Sequence, residues 1–165
     1  MKMVFIGLFI LSIIYIYTNR GDVIIPNESI RFRIIANSNS LEDQLFKNNI
    51  KNELKDEVIP NILSNSINNT RDNIINNISL IEDSLNKYDI KYNINYGNNY
   101  FPNKIYNGVK YKEGYYESLV ITLGDGVGDN FWCVLYPPLC LVEENEYNNI
   151  EYKSIIGEIL NIYGI

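Results

Sequence analysis

The residues of this chain that can do chemistry are carboxylates, tyrosines and two cysteines, because the sequence contains no histidine. That absence excludes Ser-His-Asp and Cys-His mechanisms and every histidine-ligated metal site. Paired carboxylates remain able to perform acid–base chemistry. Most acidic residues fall on solvent-facing helix positions, but Glu117 shares a predicted strand face with Leu119. Since a half-buried carboxylate needs a partner, we expect a structural ion pair between Glu117 and Arg31 or Arg33, in preference to catalysis.

The cysteines are the second chemical feature. Cys133 and Cys140 are the only two in the chain and bracket Val-Leu-Tyr-Pro-Pro-Leu. Two thiolates without histidine make a poor metal site, so we expect neither a metal nor another cofactor. In an oxidising compartment the spacing favours one disulfide, which a turn at Pro137 and Pro138 helps to close. Two buried free thiols are the alternative.

The glycine-rich segment from Gly124 to Asp129 is a weak candidate for ligand binding. It lacks the lysine of a P-loop, and a predicted strand follows it where a phosphate site needs a helix. As a calcium loop it has Val127 and Asn130 where an oxygen ligand and a glycine are needed. We therefore predict a turn that links two strands.

Composition and charge bound the class of protein. The 165 residues, 46% hydrophobic and 21% charged, fit one globular domain plus short appendages. The formal net charge of −6 argues against nucleic acid as a partner, because such binding needs a basic face.

The N-terminus has the pattern of an export signal. Lys2 precedes an apolar run from Met3 to Tyr17, which matches the positive region and apolar core of signal segments. The run is shorter than the about 20 residues of a full membrane span, and no small-residue cleavage site follows it. We predict an uncleaved signal anchor at residues 1–20, with a cleaved signal peptide as the alternative. The positive flank then places the rest of the chain outside the cytoplasm.

The remaining elements follow from hydrophobic periodicity. Residues 21–29 are predicted to be a linker, residues 30–140 an extracytoplasmic domain, and residues 141–165 an acidic connector with an amphipathic tail helix. Period-two alternation predicts strands at Ile30–Ala36, Ile90–Tyr96, Tyr115–Leu123 and Phe131–Tyr136. The segment from Phe101 to Glu113 is expected to be irregular or a hairpin.

Two apolar stripes at helical spacing lie between the first and second strands. Ser40 is expected to cap the first helix, with the Asp43 carboxylate reaching back to the cap, and Pro60 to end or kink it. Thr70 is expected to cap the second helix. This order predicts an α+β fold in which two helices cover one face of a mixed or mainly antiparallel sheet.

Two stretches resemble the stage II sporulation protein R family. The first is Arg31-Phe-Arg-Ile-Ile-Ala-Asn-Ser-Asn-Ser-Leu-Glu-Asp-Gln44, followed by Lys47 and Lys51. The second begins at Phe-Pro-Asn-Lys104 and ends with Phe-Trp-Cys-Val-Leu-Tyr-Pro-Pro-Leu-Cys140, close to the family's aromatic-Trp-Cys and Pro-Pro-Leu-Cys signature. Three positions depart from the family pattern: Asn39 replaces a usual Asp, Lys112 a usual Pro and Phe131 a usual Trp.

The resemblance implies a signalling protein and not an enzyme. Family members are made in the forespore and exported into the space between the forespore and mother-cell membranes. There they activate a membrane-embedded aspartic protease, stage II sporulation protein GA, which cleaves pro-sigma-E in the mother cell. We therefore expect a chain that is membrane-anchored or secreted in that space. Its partners are expected to be the protease and, through the N-terminal segment, the membrane, with no nucleic acid and no small-molecule substrate.

The expected contact surface combines polar residues of the first stretch with turn residues of the second: Asn37, Ser38, Gln44, Lys47, Trp132, Pro137 and Pro138. Trp is a frequent interface anchor, although a single Trp beside a cysteine is more often part of the core. The alternative function is an extracytoplasmic carboxylate-based hydrolase or a cell-wall-binding domain. An open cleft with two facing carboxylates would favour that alternative.

Overall fold

The computed structural model describes residues 23–25, 28–106 and 109–140, together with positions 7 and 10. Apart from those two positions, the predicted signal segment at residues 1–20 lies outside the described residues, as do the predicted connector and tail helix at residues 141–165. Within the described part, no helix has the length and hydropathy needed to cross a membrane.

The described chain forms strands and helices in the order β1–β2–α1–α2–α3–β3–β4–β5–β6–β7. Their bounds are β1 Val23–Ile24, β2 Ile30–Ile35, α1 Leu41–Glu57, α2 Ile59–Ile62, α3 Ile67–Asn86, β3 Tyr92–Phe101, β4 Lys104–Tyr106, β5 Val109–Tyr111, β6 Gly114–Leu123 and β7 Asn130–Tyr136. The four strands predicted from alternation are present as β2, β3, β6 and β7. The glycine-rich segment links β6 to β7, as predicted.

These four strands form a mixed sheet in the order β3-β6-β2-β7. Strand β2 runs parallel to β6 and antiparallel to β7, and β3 runs antiparallel to β6. The predicted α+β fold with a mixed sheet is confirmed.

A second, three-stranded sheet in the order β1-β5-β4 was not predicted. It contains Val23 and Ile24, which lie inside the predicted linker and pair in parallel with β5. Strands β4 and β5 form the hairpin that was one of the two expectations for this region. Strands of two or three residues are too short to show a period, so sequence patterns cannot reveal them.

The main core lies between the four-stranded sheet and the helices. Phe32 and Ile34 of β2 are buried there with Ile50 and Leu54 of α1 and with residues of α3. The i, i+4 stripe that predicted the first helix is the face that α1 buries, which explains why the helix forms against this sheet.

The opposite sheet face carries an aromatic cluster. Phe101, Tyr111, Tyr116 and Trp132 are all buried in it, with Trp132 only 3% exposed. Tyr111 comes from β5, so the small sheet contributes to this second core. The rings pack edge to face or tilted, for example Phe101 against Trp132 with centroids 5.2 Å apart, as aromatic pairs prefer.

The ends of the helices confirm one predicted cap and correct another. Ser40 caps α1, since its Oγ accepts a hydrogen bond from the Asp43 backbone N–H at 3.1 Å. The predicted Thr70 cap is wrong, because Ser66 caps α3 and accepts from the Asn69 N–H. Thr70 lies within the helix, buried, and donates its hydroxyl to the Ser66 carbonyl at 3.1 Å.

Candidate functional site

The turn at residues 37–40 and the loop at residues 124–129 lie together at one end of the large sheet, here called the two-loop end. Asn37 Oδ1 accepts a hydrogen bond from the Asp125 backbone N–H at 2.9 Å. Asn39 Oδ1 accepts from the Asp129 N–H at 2.6 Å. The Val127 N–H donates to the Asn37 carbonyl at 3.1 Å. The turn and the loop therefore form one hydrogen-bonded unit, although their hydrogen-bonded residues are up to 90 positions apart in the sequence.

Side chains of α1 form hydrogen bonds with the turn at residues 37–40. The Asp43 carboxylate accepts from Asn37 Nδ2 at 3.0 Å and from the Ser38 hydroxyl. These hydrogen bonds, that from Ser38 foremost, lower the pKa of Asp43. Gln44 Nε2 donates to the Ser38 carbonyl at 2.9 Å. The Ser40 backbone N–H, which Asp43 was expected to bind, donates to the Ser38 hydroxyl instead.

Lys47 ties the helix to the second loop. It is buried, and its ammonium donates to Gln44 Oε1 at 2.6 Å and to the Asp129 carbonyl at 3.0 Å. Burial lowers the pKa of Lys47, and the nearby Lys51 and Lys104 lower it further, against a raising effect of Asp129. A buried ammonium needs such acceptors, so Lys47 has a structural role at this end.

The polar residues expected to contact a partner are thus hydrogen-bonded within the chain. Asn37, Ser38, Gln44 and Lys47 build the two-loop end, and direct partner contact through them stays a prediction. Trp132 lies in the aromatic core, in line with the expectation that a single Trp beside a cysteine is more often part of the core than of an interface. Pro137 and Pro138 are half-buried in the turn after β7, and their contact with a partner also stays a prediction.

Large apolar side chains are exposed at the same end. Leu41 at the start of α1 is 77% exposed, and Leu45, one turn later on the same helix face, is 53% exposed. Val127 at the tip of the second loop is 74% exposed. No sequence pattern had singled these residues out, because one exposed Leu is unremarkable until its neighbours are known.

The expected ion pair of Arg31 or Arg33 with Glu117 is corrected by the structure. The Arg31 guanidinium, completely buried, lies over the Tyr116 ring with its carbon 3.3 Å from the centroid. The Arg33 guanidinium lies 4.9 Å from the centroid of the Phe101 ring. Burial lowers the pKa of both arginines. The cations are therefore stabilised by aromatic faces.

Strand register explains the correction. Arg31 of β2 is opposite Ser118 of β6, and successive residues of a strand point to opposite faces. Glu117 therefore points to the helix face with Leu119, whereas the arginines point to the aromatic face.

Glu117 does have a cation, supplied by α3. Arg71 donates Nε to Oε1 at 3.0 Å and Nη2 to Oε2 at 2.8 Å, and the Tyr96 hydroxyl donates to Oε1 at 2.6 Å. The hydrogen bond from Arg71, followed by that from Tyr96, lowers the pKa of Glu117 against the opposing effect of burial. A carboxylic acid that acts as a general acid needs a raised pKa, whereas the pKa of Glu117 is lowered. The contacts with Arg71 and Tyr96 therefore favour a structural ion pair over a role of Glu117 in carboxylate-based hydrolysis.

We expect this ion pair to make stability pH-dependent. Because the folded-state pKa of Glu117 is lowered, its contribution is present above the unfolded-state pKa of about 4.3 and is lost as pH falls through the folded value. Glu117→Gln should therefore lower the free energy of unfolding at pH 7 by about 0.5–1 kcal/mol, the range of a solvent-accessible pair. Denaturant titrations of both chains from pH 7 to pH 3 test this, and a difference that stays constant over that range would contradict it.

Cys133 and Cys140 are joined by a disulfide, with their Cα atoms 5.4 Å apart and seven positions apart in sequence. Both are buried, at 4% and 7% exposure. Next to them the Leu139 N–H donates to the Val134 carbonyl at 3.2 Å, so the turn through Pro137 and Pro138 folds back onto β7.

We expect exported protein to carry this bridge. Mass spectrometry after alkylation without reduction should find no alkylated cysteine, and two alkylated thiols in protein recovered under oxidising conditions would contradict the prediction. Replacing both cysteines with serine should lower the free energy of unfolding by about 2–3 kcal/mol, as expected for so short a loop.

A sequence model of the family described as stage II sporulation protein R matches residues 26–146. The chain belongs to this family. It is 35% identical over 128 residues to stage II sporulation protein R of Bacillus subtilis (strain 168), a match that covers 73% of this chain and 57% of that relative. The matched region is thus little more than half of the relative's length. No solved structure matches the chain.

The family stretches meet at the two-loop end. The first supplies Asn37 through Lys47, and the second supplies the loop from Gly124 to Asp129. Asn39 stands where the family usually has Asp, and its side-chain oxygen accepts the hydrogen bond from the Asp129 N–H. An Asp side chain also provides such an oxygen acceptor.

Sequence reasoning missed several residues. Arg71 and Tyr96 hold Glu117, and Glu28 and Ser29 border a pocket beside it. The one available signal was that Arg71 is the only cation in the sequence of α3, and a carboxylate elsewhere in the chain could pair with it.

Proposed function

We propose that this chain is the exported signal that activates a membrane-embedded aspartic protease of the stage II sporulation protein GA type. Activation leads to cleavage of pro-sigma-E in the mother cell during sporulation. Membership of the stage II sporulation protein R family carries this proposal. The chain acts from the space between the forespore and mother-cell membranes, either anchored by its N-terminal segment or secreted.

The two-loop end supports an action by binding. Both family stretches contribute to it, and its backbone is held by hydrogen bonds between the loops. A rigid surface loses little conformational entropy when it binds. Leu41, Leu45 and Val127 present apolar area there. We propose that these three side chains contact the protease and favour its active state, since a ligand activates only through higher affinity for that state.

The disulfide supports the proposed compartment. A Cys133–Cys140 bridge persists in extracytoplasmic environments and is rare in the cytosol. Export also brings the chain to the side of the membrane from which a receptor can be reached.

Co-expression tests the proposed function. The chain, the protease and pro-sigma-E are produced together in a host that lacks all three, and pro-sigma-E cleavage is followed by immunoblot. Cleavage should require both the chain and the protease. A chain without residues 1–20, retained in the cytoplasm, is the matched control and should not activate. Cleavage that is independent of the chain, or equal with the retained control, would contradict the proposal.

The same assay separates binding from chemistry by this chain. Glu117→Gln keeps the shape of the side chain and removes its charge, so folded and exported Glu117→Gln should still activate the protease. Loss of activation in a normally folded variant would support a carboxylate mechanism instead.

A further inference from the structure

The outer edge of β3 has no partner strand in the described part of the chain. β3 forms one edge of the large sheet, where it pairs with β6. The pairing runs from Tyr92 to Phe101 in one continuous register, without a bulge. Nine of the ten residues of β3 are exposed or half-buried. The backbone on the outer side of β3 is therefore accessible over most of the strand.

The hydrogen bonds between β3 and β6 determine which backbone groups face this outer edge. The Gly124 N–H donates to the Lys91 carbonyl at 2.6 Å, one position beyond the ladder and in the same register. In an antiparallel ladder, hydrogen-bonded pairs alternate with pairs that form no such bonds, so the odd-numbered residues of β3 bond to β6. The residues whose N–H and C=O groups face outward are then Tyr92, Ile94, Tyr96, Asn98 and Tyr100.

β3 also lacks the features that normally protect the edge of a sheet. Such edges usually carry charged side chains, proline or bulges, or are covered by another element. The sequence of β3, Tyr-Asn-Ile-Asn-Tyr-Gly-Asn-Asn-Tyr-Phe, has no charged residue and no proline. At the other edge of the sheet, by contrast, the β2–β7 pair has a register shift at Ile30 and Arg31. An unprotected edge of this length is a template for a further strand.

Charge favours a second copy of this chain as the source of that strand. The chain has a formal net charge of −6, and like charges directly opposite each other destabilise paired strands. Because β3 carries no charge, two copies can pair there without bringing acidic residues of the two strands together. The exposed polar side chains of β3 are neutral amides, those of Asn93, Asn95 and Asn98.

The sequence of β3 is also nearly symmetric about Tyr96. Tyr92 and Tyr100 stand four positions before and after it, and all three have outward-facing backbone groups. In a twofold interface, residue i of one copy contacts residue j of the other, and j contacts i. An antiparallel pair centred on Tyr96 therefore places Tyr96 opposite its own copy and Tyr92 opposite Tyr100 on both sides. Aromatic pairs are among the favourable cross-strand pairs.

We propose that two copies of this chain pair through β3, antiparallel and about a twofold axis at Tyr96. The pairing joins the two four-stranded sheets into one sheet of eight strands. A single strand pair is a small interface, and small interfaces are typical of weak association, so the dimer is reversible. Since β3 begins at the two-loop end, beside Gly124, antiparallel pairing places the two-loop ends of the copies at opposite ends of the joined sheet. Both remain free for a receptor.

Sedimentation equilibrium of the full chain in density-matched detergent micelles tests the association, and amide hydrogen exchange locates it. Raising the ratio of protein to detergent should convert monomer to dimer. Exchange should then slow at Ile94, Tyr96 and Asn98, whose N–H groups face outward, and change less at Asn93 and Asn95, which bond to β6. A monomer at every ratio would overturn the proposal, as would a dimer in which the three outward amides gain no protection. Protection of these amides already in the monomer would show that another part of the chain covers the edge, and would also overturn it.

Asn98→Pro removes one outward N–H and leaves the hydrogen bonds to β6 in place, because an edge strand tolerates proline where the nitrogen faces away from the sheet. It should weaken the association roughly tenfold or more, since each of the two copies loses a hydrogen bond, while circular dichroism shows a folded monomer. Asn98→Thr keeps the N–H and is the matched control, which should associate like the unmodified chain. Equal association of the two variants would overturn the proposal.

A charge exchange at Asn95 tests the position of the twofold axis without altering the backbone. With the axis at Tyr96, Asn95 is opposite Gly97 of the second copy, and the two Asn95 side chains are diagonal neighbours, within reach of long side chains. Asn95→Lys and Asn95→Asp should each weaken self-association about two- to fivefold, as expected for a solvent-accessible charge pair, and a mixture of the two should restore it. Failure of the mixture to associate better than either variant alone would overturn the proposed axis. None of these measurements involves the protease, so their outcome is independent of the proposed signalling function.

Discussion

Gly128→Ala is expected to disrupt the two-loop end and to lower the free energy of unfolding by about 2–3 kcal/mol, the cost of overpacking a site that cannot relax. A Cβ at position 128 would collide with the backbone carbonyl of Ser38 and approach the Ala36 Cβ within 2.9 Å. The Gly128 N–H also donates to the Ala36 carbonyl at 3.0 Å. The two loops must therefore separate to admit the methyl group, which breaks the hydrogen bonds between them.

Gly97→Ala is the matched control for this prediction. A Cβ there would lie 3.7 Å from Asn95 Oδ1, an ordinary contact distance, and Gly in a strand interior is less favourable than Ala by roughly 0.5–1 kcal/mol. Gly97→Ala should thus be neutral or stabilising. Denaturant unfolding followed by circular dichroism measures both variants, with hydrogen exchange at Asp125 and Val127 as the local readout. Equal stability of the two variants would contradict the close approach of the loops.

The location of Glu117 shows what a single sequence can and cannot provide. Alternation along β6 correctly placed Glu117 on the face of Leu119, and alternation along β2 placed Arg31 opposite Phe32. The sequence does not reveal the register between β2 and β6. The face that carries Glu117 could therefore not be matched with the face that carries the two arginines. Once Arg31 lies opposite Ser118, parity alone separates Glu117 from both arginines.

The two-loop end shows a second limit. Its residues were recognised as a group, because the family motif and the turn composition single out Asn37 to Gln44. Their function in the fold depends on partners about 90 positions away, such as Asp129, and such long-range hydrogen bonds have no local signature. Polar turn residues therefore suggested a binding surface, whereas their hydrogen bonds are directed inward to the second loop and to α1.

The inward hydrogen bonds of the turn determine what a substitution there would test. Asn37 accepts from the Asp125 N–H and donates to the Asp43 carboxylate, so Asn37→Ala removes both hydrogen bonds and leaves their partners unsatisfied. Substitution of this residue tests stability and binding together. A more specific test of the contact surface replaces exposed apolar side chains, because their replacement breaks no hydrogen bond.

Leu41→Glu is expected to reduce protease activation by roughly tenfold or more, because it removes apolar contact area from the proposed interface and the new carboxylate must be desolvated when the receptor binds. Leu41 is 77% exposed, so its replacement leaves no cavity. It is also the first residue of α1, where the helix dipole favours an acidic side chain. Stability should therefore change by no more than about 0.5 kcal/mol, as for most surface substitutions.

Leu80→Glu provides the control for the change of charge and hydropathy. Leu80 is 43% exposed on α3 and is not part of the two-loop end. Both variants are compared with the unmodified chain in the co-expression assay, at matched levels of exported protein and with folding checked by circular dichroism. Leu80→Glu should activate normally, and Val127→Glu should resemble Leu41→Glu because Val127 exposes its side chain at the same end. If both substitutions at the two-loop end activated normally in folded protein, its apolar side chains would not be the contact surface. The receptor would then have to bind another face of the chain.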